Sequence, residues 1–354
     1  MKVALVLETA GGGSGRHVVD LASGLRAGGV DTTIVYWTHR AEPTFVAAAG
    51  ATGATLVALD RWWQLRGALR RLAPDVVHAH SSIAGVVARA TVRRPPWTVV
   101  YTPHAPKSLD PNLKGIAGGA VRTVERVLAN ARTDCVIAVS QDEAAHLAEL
   151  GVAPGKIHVV RNGIEAPARP AGDARAALGL AADAVVVGWV GRMVPQKDPL
   201  AFVRWCAEVR TPFMALMVGD GPLLPAVRAE VTRLGLDDVI RTPGAMSGAA
   251  AMEAMDVFCL SSRYEGMPYV LIEAAHAGLP IVATRTGGAN EVVVDGVTGY
   301  LVDEADAPNR IADLVGDPGR RARFAAASAV HATHFVASQM VSETLLIYRA
   351  GGDS

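Results

Sequence analysis

One feature constrains the fold more than any other: short apolar runs rich in β-branched residues alternate with longer stretches whose apolar residues recur every three or four positions. The runs fall at residues 3–7, 32–36, 76–79, 98–102, 135–139, 185–190, 213–218, 257–260 and 281–284. Between the first two, Val18, Leu21, Ala22 and Leu25 share one stripe of a helix. A strand that is apolar along its whole length must be covered on both faces, and helices placed between successive strands provide that cover when the strands run parallel. The pattern predicts an α/β protein built from doubly wound parallel sheets.

At roughly 100–200 residues per domain, 354 residues predict two such domains. The alternation breaks over residues 161–172, which hold Gly163, Pro167, Pro170 and Gly172 and form the best linker candidate. A first domain over 1–165 and a second beginning at 166 follow, each with about six strands. In doubly wound folds ligands bind beyond the carboxyl ends of the strands, so the chemistry is expected on loops after strands, in a cleft between the two domains.

Composition narrows the function. Lys and Arg total 34 and Asp and Glu total 34, so the chain lacks the basic excess that drives nucleic-acid binding. Half the residues are hydrophobic, enough to fill two cores. The charge is uneven, with 19 basic against 13 acidic residues in 1–170 and 15 against 21 in 171–354, which fits either an anionic partner on the first half or attraction between halves. The first apolar run stops at five residues, short of the roughly 7–15 of a signal peptide, which predicts a cytoplasmic protein. The three cysteines, Cys135, Cys206 and Cys259, sit in apolar runs without a C-x-x-C pair and read as reduced core residues.

Several post-strand segments carry polar groups suited to an anionic ligand. Gly11, Gly12, Gly13 and Gly15 precede a helix expected from about residue 17; glycines there admit backbone N–H groups to an anion or simply allow a tight turn, and their spacing matches neither the dinucleotide nor the ATPase phosphate loop. Arg192 and Lys197 follow the strand at 185–190, where a guanidinium and an ammonium can hold a diphosphate or stand solvated. Glu265 lies on a loop after 257–260, followed by Gly266 and Met267, and Glu273 lies on the next helix, suited to sugar hydroxyls and a ribose diol respectively. Gly287 and Gly288 open a further helix. His104 follows the strand at 98–102, where it can hydrogen-bond a ligand or serve the structure. His78 and His80 alternate at a strand end without a cysteine or carboxylate cluster, which argues against metal. The segment 61–72 places Trp62, Leu65, Leu69 and Leu72 on one stripe beside arginines; it reads as a helix packed on a sheet or as a peripheral contact with an anionic membrane.

Taken in order, the loop from Gly11 to Gly15, His104, Asn162-Gly163, Gly191-Arg192 with Lys197, Val218-Gly219-Asp220-Gly221-Pro222, Glu265 with Glu273, and Gly287-Gly288 resemble the retaining nucleotide-sugar glycosyltransferases of family 4. The resemblance spans almost the whole chain. It implies the GT-B architecture, two Rossmann-like domains facing each other, with a last helix near 335–349 that crosses back, so that 335–354 joins the first domain and the second ends at 334. It implies a donor held by the second domain, with Arg192 and Lys197 on the diphosphate, Glu273 on the ribose, and Glu265, Gly266 and Met267 at the transferred sugar. His104, Gly13 and Gly15 would reach the donor from the first domain. No metal and no cofactor are implied, since cationic side chains and helix dipoles stabilise the leaving diphosphate. Retention would follow from attack on the face the diphosphate leaves, with Glu265 positioning rather than attacking. A UDP-sugar is the first choice of donor. The acceptor is a glycan, a lipid-linked precursor or a small molecule, with bacterial polysaccharide or glycolipid assembly favoured and natural-product glycosylation open. An epimerase of the same fold, a sugar-nucleotide sensor, a nicotinamide oxidoreductase and a glycosidase using Glu265 and Glu273 are the alternatives.

Overall fold

The computed structural model describes residues 1–91, 96–165 and 174–352, so the linker candidate lies outside the described residues from 166 onward. The chain divides into two compact units, Met1–Glu165 with Phe335–Ser354, and Ala166–His334.

The first unit holds β1 (Lys2–Leu7), β2 (Asp31–Trp37), β3 (Thr55–Leu59), β4 (Val76–His80), β5 (Thr98–Thr102), β6 (Cys135–Ala138) and β7 (Ile157–Val159). They form one seven-stranded sheet in the order β3-β2-β1-β4-β5-β6-β7, parallel throughout. The order reverses between β1 and β4, the point at which doubly wound sheets open a crevice. Register places Leu7 opposite His80 and His80 opposite Thr102, so the ends of β1, β4 and β5 are level.

Both faces of this sheet are covered, as its apolar strands require. On one face the helix Gly12–Ala27 buries Val18, Leu21, Ala22 and Leu25, and the last helix, Ala337–Gly352, adds Met340 and Tyr348. On the other face the helix Gln64–Leu72 buries Leu65 and Leu69, worth about 1.5–3 kcal/mol each. Its amphipathic stripe starts at Leu65, for Trp62 and Trp63 precede the helix and stand 61% and 59% exposed. Gly163 lies under the start of the last helix, where a Cβ would stand 2.3 Å from the Val336 carbonyl oxygen. That closeness explains the glycine and secures the return of the chain at the isolated bridge between Ile164 and Val336.

The second unit holds β8 (Val186–Val190), β9 (Met214–Val218), β10 (Ile240–Gly244), β11 (Val257–Leu260), β12 (Ile281–Thr284) and β13 (Gly299–Val302). Their order is β10-β9-β8-β11-β12-β13, again parallel, with the reversal between β8 and β11. Trp189, Phe202 and Trp205 anchor the core on one side, and the buried indole N–H of Trp189 donates to Ser261 Oγ at 3.1 Å. Cys206 and Cys259 are buried and Cys135 is half-buried, all as free thiols. Among the described residues, no helix is long and apolar enough to cross a membrane.

Candidate functional site

In the first unit the level strand ends gather histidines. His80 ends β4, His104 follows β5, and His17 sits in the helix after β1. His80 Nδ1 lies 3.1 Å from His104 Nε2, and the His17 and His104 ring centroids are 4.5 Å apart, edge to face. His17 Nδ1 pairs with Asn162 Oδ1 at 3.0 Å; because that oxygen only accepts, the proton is on Nδ1 and the lone pair on Nε2. His78 stacks behind His80 with centroids 4.0 Å apart, and both its nitrogens are occupied, by Tyr348 Oη at 2.6 Å and Thr102 Oγ1 at 2.7 Å. Burial pushes the pKa of His17 down to about 4 and those of His78, His80 and His104 well below the ordinary range, with neighbouring imidazoles adding to the effect on the last three. Near neutral pH this is a cluster of uncharged imidazoles.

The backbone that presents His104 is strained. His104 has φ 54° and Ala105 φ 63°, left-handed values that cost non-glycine residues of the order of 1–3 kcal/mol each. Glu143 holds the turn: the Ala105 N–H donates to its Oε1 at 2.7 Å and the Val139 N–H to its Oε2 at 2.8 Å. Ser140 caps the same helix, Gln141–Glu149, by accepting from the Glu143 N–H. Burial raises the Glu143 carboxyl to about 7 despite those two donors.

The glycine segment differs from expectation. The helix starts at Gly12, not near residue 17, so Gly13 is exposed in its first turn and Gly15 is buried. Glycine costs about 1 kcal/mol against alanine within a helix, and packing offsets it here. A Cβ on Gly15 would stand 3.1 Å from Phe45 Cδ2, and one on Gly11 would overlap the Glu42 carboxyl group.

In the second unit the ends of β8 and β11 meet through charge pairs. Lys197 Nζ lies 2.6 Å from Glu265 Oε1, with the two side chains 16% and 8% exposed. Beside them Arg263 Nε donates to Asp198 Oδ2 at 2.7 Å, while Asp198, at φ 40°, caps the helix Pro199–Glu208 through its other oxygen. Ser261 Oγ donates to the Asp198 carbonyl at 2.8 Å and ties the two segments together. Arg192 is exposed, and its side chain has no ion-pair partner among the described residues. The glycines after neighbouring strands serve close backbone packing. A Cβ on Gly287 would stand 2.4 Å from the Glu265 carbonyl oxygen, and one on Gly288 2.6 Å from that of Gly266, so the glycine pair cradles the segment through the buried Gly266 and Met267. Gly219 and Gly221, at φ 141° and 149°, press in the same way on Gly191 and Met193. Glu273, on the helix Tyr269–His276, is half-buried beside Gly248.

Sequence reasoning named His104, Arg192, Lys197, Glu265 and Glu273 but not the groups that hold them. His17 is hidden in an amphipathic stripe, and Glu143, Asp198 and Arg263 carry no motif; Asn162 belongs to the Asn162-Gly163 signal, but only the fold shows that it holds His17. Nor does sequence show that Lys197 and Glu265 are partners.

Comparison with known proteins matches these two units separately. Residues 11–166 match the family described as Glycosyltransferase Family 4, and residues 184–317 match Glycosyl transferases group 1. The D-inositol 3-phosphate glycosyltransferase of Kribbella flavida is 32% identical over 311 residues, covering 79% of this chain and 72% of that protein. The protein of the same name from Actinosynnema mirum is 33% identical over 308 residues, covering 79% and 73%. Among solved structures, Anabaena Alr3699/HepE in complex with UDP and glucose superposes with a TM-score of 0.87 at 22% identity, covering 99% of this chain and 100% of that one. Sucrose-phosphate synthase from Thermosynechococcus elongatus superposes with a TM-score of 0.83 at 20% identity, covering 99% and 98%. Two Rossmann-like units with these matched segments make the chain a member of the family 4 glycosyltransferases, enzymes of the GT-B architecture.

Proposed function

We propose that the chain transfers a sugar from a nucleoside-diphosphate sugar, UDP-linked in the first instance, to an acceptor hydroxyl with retention of the anomeric configuration and without a metal in the reaction. The observation that carries this reading is the charge arrangement after β8 and β11. Lys197 and Arg263 are each neutralised by a carboxylate within 2.7 Å, which leaves Arg192 as the uncompensated cation of the group. Arg192 and Lys197 hold the diphosphate and stabilise it as it leaves, as preorganised cations do for developing negative charge. Glu273 takes the ribose diol. Glu265 is engaged with Lys197 and fixes the position of the sugar together with Gly266 and Met267; a carboxylate so paired is a poor nucleophile, which favours assistance by the departing diphosphate over a covalent intermediate.

On the first unit, neutral His104 hydrogen-bonds a sugar hydroxyl, and the Gly13 and Gly15 backbone approaches the donor. The names of the relatives direct the first acceptor test to an inositol phosphate, ahead of the glycan, lipid-linked and natural-product acceptors that the sequence left open. A peripheral contact with an anionic membrane rests on Trp62 and Trp63 beside the exposed Arg61, Arg66 and Arg70.

The test is a matrix of nucleotide sugars and acceptors in buffer containing EDTA, with the anomer of the product read by NMR. Turnover of one UDP-sugar with a retained anomeric centre is the expected result. Turnover only after divalent metal is added, or an inverted product, would overturn the metal-free retaining reading. An epimeric sugar nucleotide formed without acceptor would replace transfer with isomerisation.

A further inference from the structure

We propose that His17, His80 and His104 form a binding site for one divalent transition-metal ion of the zinc class, separate from the chemistry of transfer. One ligand atom from each of the three residues lies within 4.8 Å of the others, and the residues come from three different segments of the first unit. Two nitrogens bound to one ion at about 2.0–2.1 Å stand about 2.8–3.0 Å apart as octahedral neighbours and about 3.3–3.4 Å apart in tetrahedral geometry. His80 Nδ1 and His104 Nε2 are already 3.1 Å apart.

The surroundings supply what such a site needs beyond its ligands. Asn162 accepts from His17 Nδ1 and so directs the lone pair to Nε2, the arrangement in which ligating histidines are held by a partner on their other nitrogen. Glu143 fixes the turn that carries His104, and the floor behind His80 is His78, locked at both nitrogens. Half-exposed His104 gives an ion its way in.

The proton balance closes without an additional acid or base. The 3.1 Å contact between His80 and His104 needs a proton on one of the two facing nitrogens. On ion binding that ring moves its proton to its other nitrogen, so both facing lone pairs reach the ion and no proton is lost. No carboxylate is among the ligands, so the site favours ions that prefer imidazole, such as Zn²⁺, Co²⁺ or Ni²⁺, over Mg²⁺ or Ca²⁺. An ion here takes the His104 ring away from any sugar hydroxyl, so Zn²⁺ inhibits transfer.

The test uses the tag-free full chain, stripped with EDTA and dialysed, without nucleotide or sugar. Co²⁺ is titrated while visible absorption and bound stoichiometry are followed. The expected result is one equivalent with the spectrum of a nitrogen-ligated ion, displaced by Zn²⁺ and not by Mg²⁺. His80→Ala and His104→Ala lose that equivalent, Asn162→Ala weakens it about 10–100-fold, and the exposed His39→Ala and His334→Ala retain it. If His80→Ala fails to fold, the His104→Ala variant, changed at a half-exposed turn, decides. A wild-type chain that takes up no Co²⁺, or an equivalent that survives in His104→Ala, overturns the site. Since no donor or acceptor is present, that failure leaves the transferase reading untouched, and absence of transfer in EDTA would not bear on the metal site.

Discussion

The two units place their polar groups at the same topological point, beyond the strands flanking the reversal of order, and fill it with opposite chemistry. Beyond β1, β4 and β5 stand His17, His80 and His104, uncharged because they are buried against one another. Beyond β8 and β11 stand Lys197, Glu265, Asp198 and Arg263, charged and paired, with Arg192 exposed beside them. A crevice in a doubly wound sheet is therefore only a place; side chains decide its ligand. Neutral imidazoles suit hydroxyl groups and soft cations, whereas a set of charges with one cation left over suits a diphosphate.

The sharpest way to break this contrast is to remove charge from the second unit. Glu265→Ala leaves Lys197 without its partner and removes the group that fixes the sugar; turnover is expected to fall about 10²–10³-fold with little change in the secondary structure. Lys197→Ala is expected to fall as far and also to cost about 3–5 kcal/mol in unfolding free energy, because it strands a buried carboxylate. Urea titration measures that cost, and a stable, active Lys197→Ala chain would remove the pair from the site.

Acid should separate the units more gently. His17 has its pKa at about 4 in the fold against an ordinary 6.5. The unfolded chain thus binds its proton first, and stability present above pH 6.5 is lost as pH falls toward 4. This one shift is worth about 3 kcal/mol. His78, His80 and His104 act in the same direction. Glu143 opposes them: at about 7 in the fold against an ordinary 4.5, it favours the folded chain at low pH and loses that contribution as pH rises from 4.5 to 7. Four histidines outweigh one carboxyl, so the melting temperature of the first unit should fall between pH 6.5 and 5, measured by calorimetry. A rise over that range would show that the histidines are not buried as neutral rings.

Smallest of all should be the effect of Trp62→Ser with Trp63→Ser. The two rings are mostly exposed, and stability should stay within about 0.5 kcal/mol of the parent. Flotation with anionic vesicles then decides the membrane contact; a parent chain that does not float retires it.

The sequence displays the interior of each sheet and conceals its margins. The nine apolar runs correspond to β1, β2, β4, β5, β6, β8, β9, β11 and β12, and the four unannounced strands, β3, β7, β10 and β13, are the two edges of each sheet. An edge strand has a neighbour on one side only, and two of these four lack a continuous apolar run: β7 reads Ile157-His158-Val159 and is half-buried throughout, and β10 is interrupted by Arg241 and Thr242. By contrast β3, with Leu56-Val57-Ala58-Leu59, and β13, with Tyr300-Leu301-Val302, are apolar edges whose runs are no different in kind from those of the interior strands. The site follows the same rule. His78 and His80 were visible as an alternating pair, but the third imidazole, His17, arrives from the helix after β1 through a register no local pattern reports. Glu265 and Glu273 read as two carboxylates with related tasks; folding pairs one with Lys197 and sets the other beside Gly248.

The most direct measurement is calorimetric titration of UDP into the parent chain and into Arg192→Ala, both in EDTA. If the second unit binds the donor by its uncompensated cation, the parent binds UDP without metal, its melting temperature rises with ligand concentration, and Arg192→Ala binds at least about tenfold more weakly with an unchanged fold. Equal affinity in the two chains, or no binding to a folded parent, would contradict that assignment.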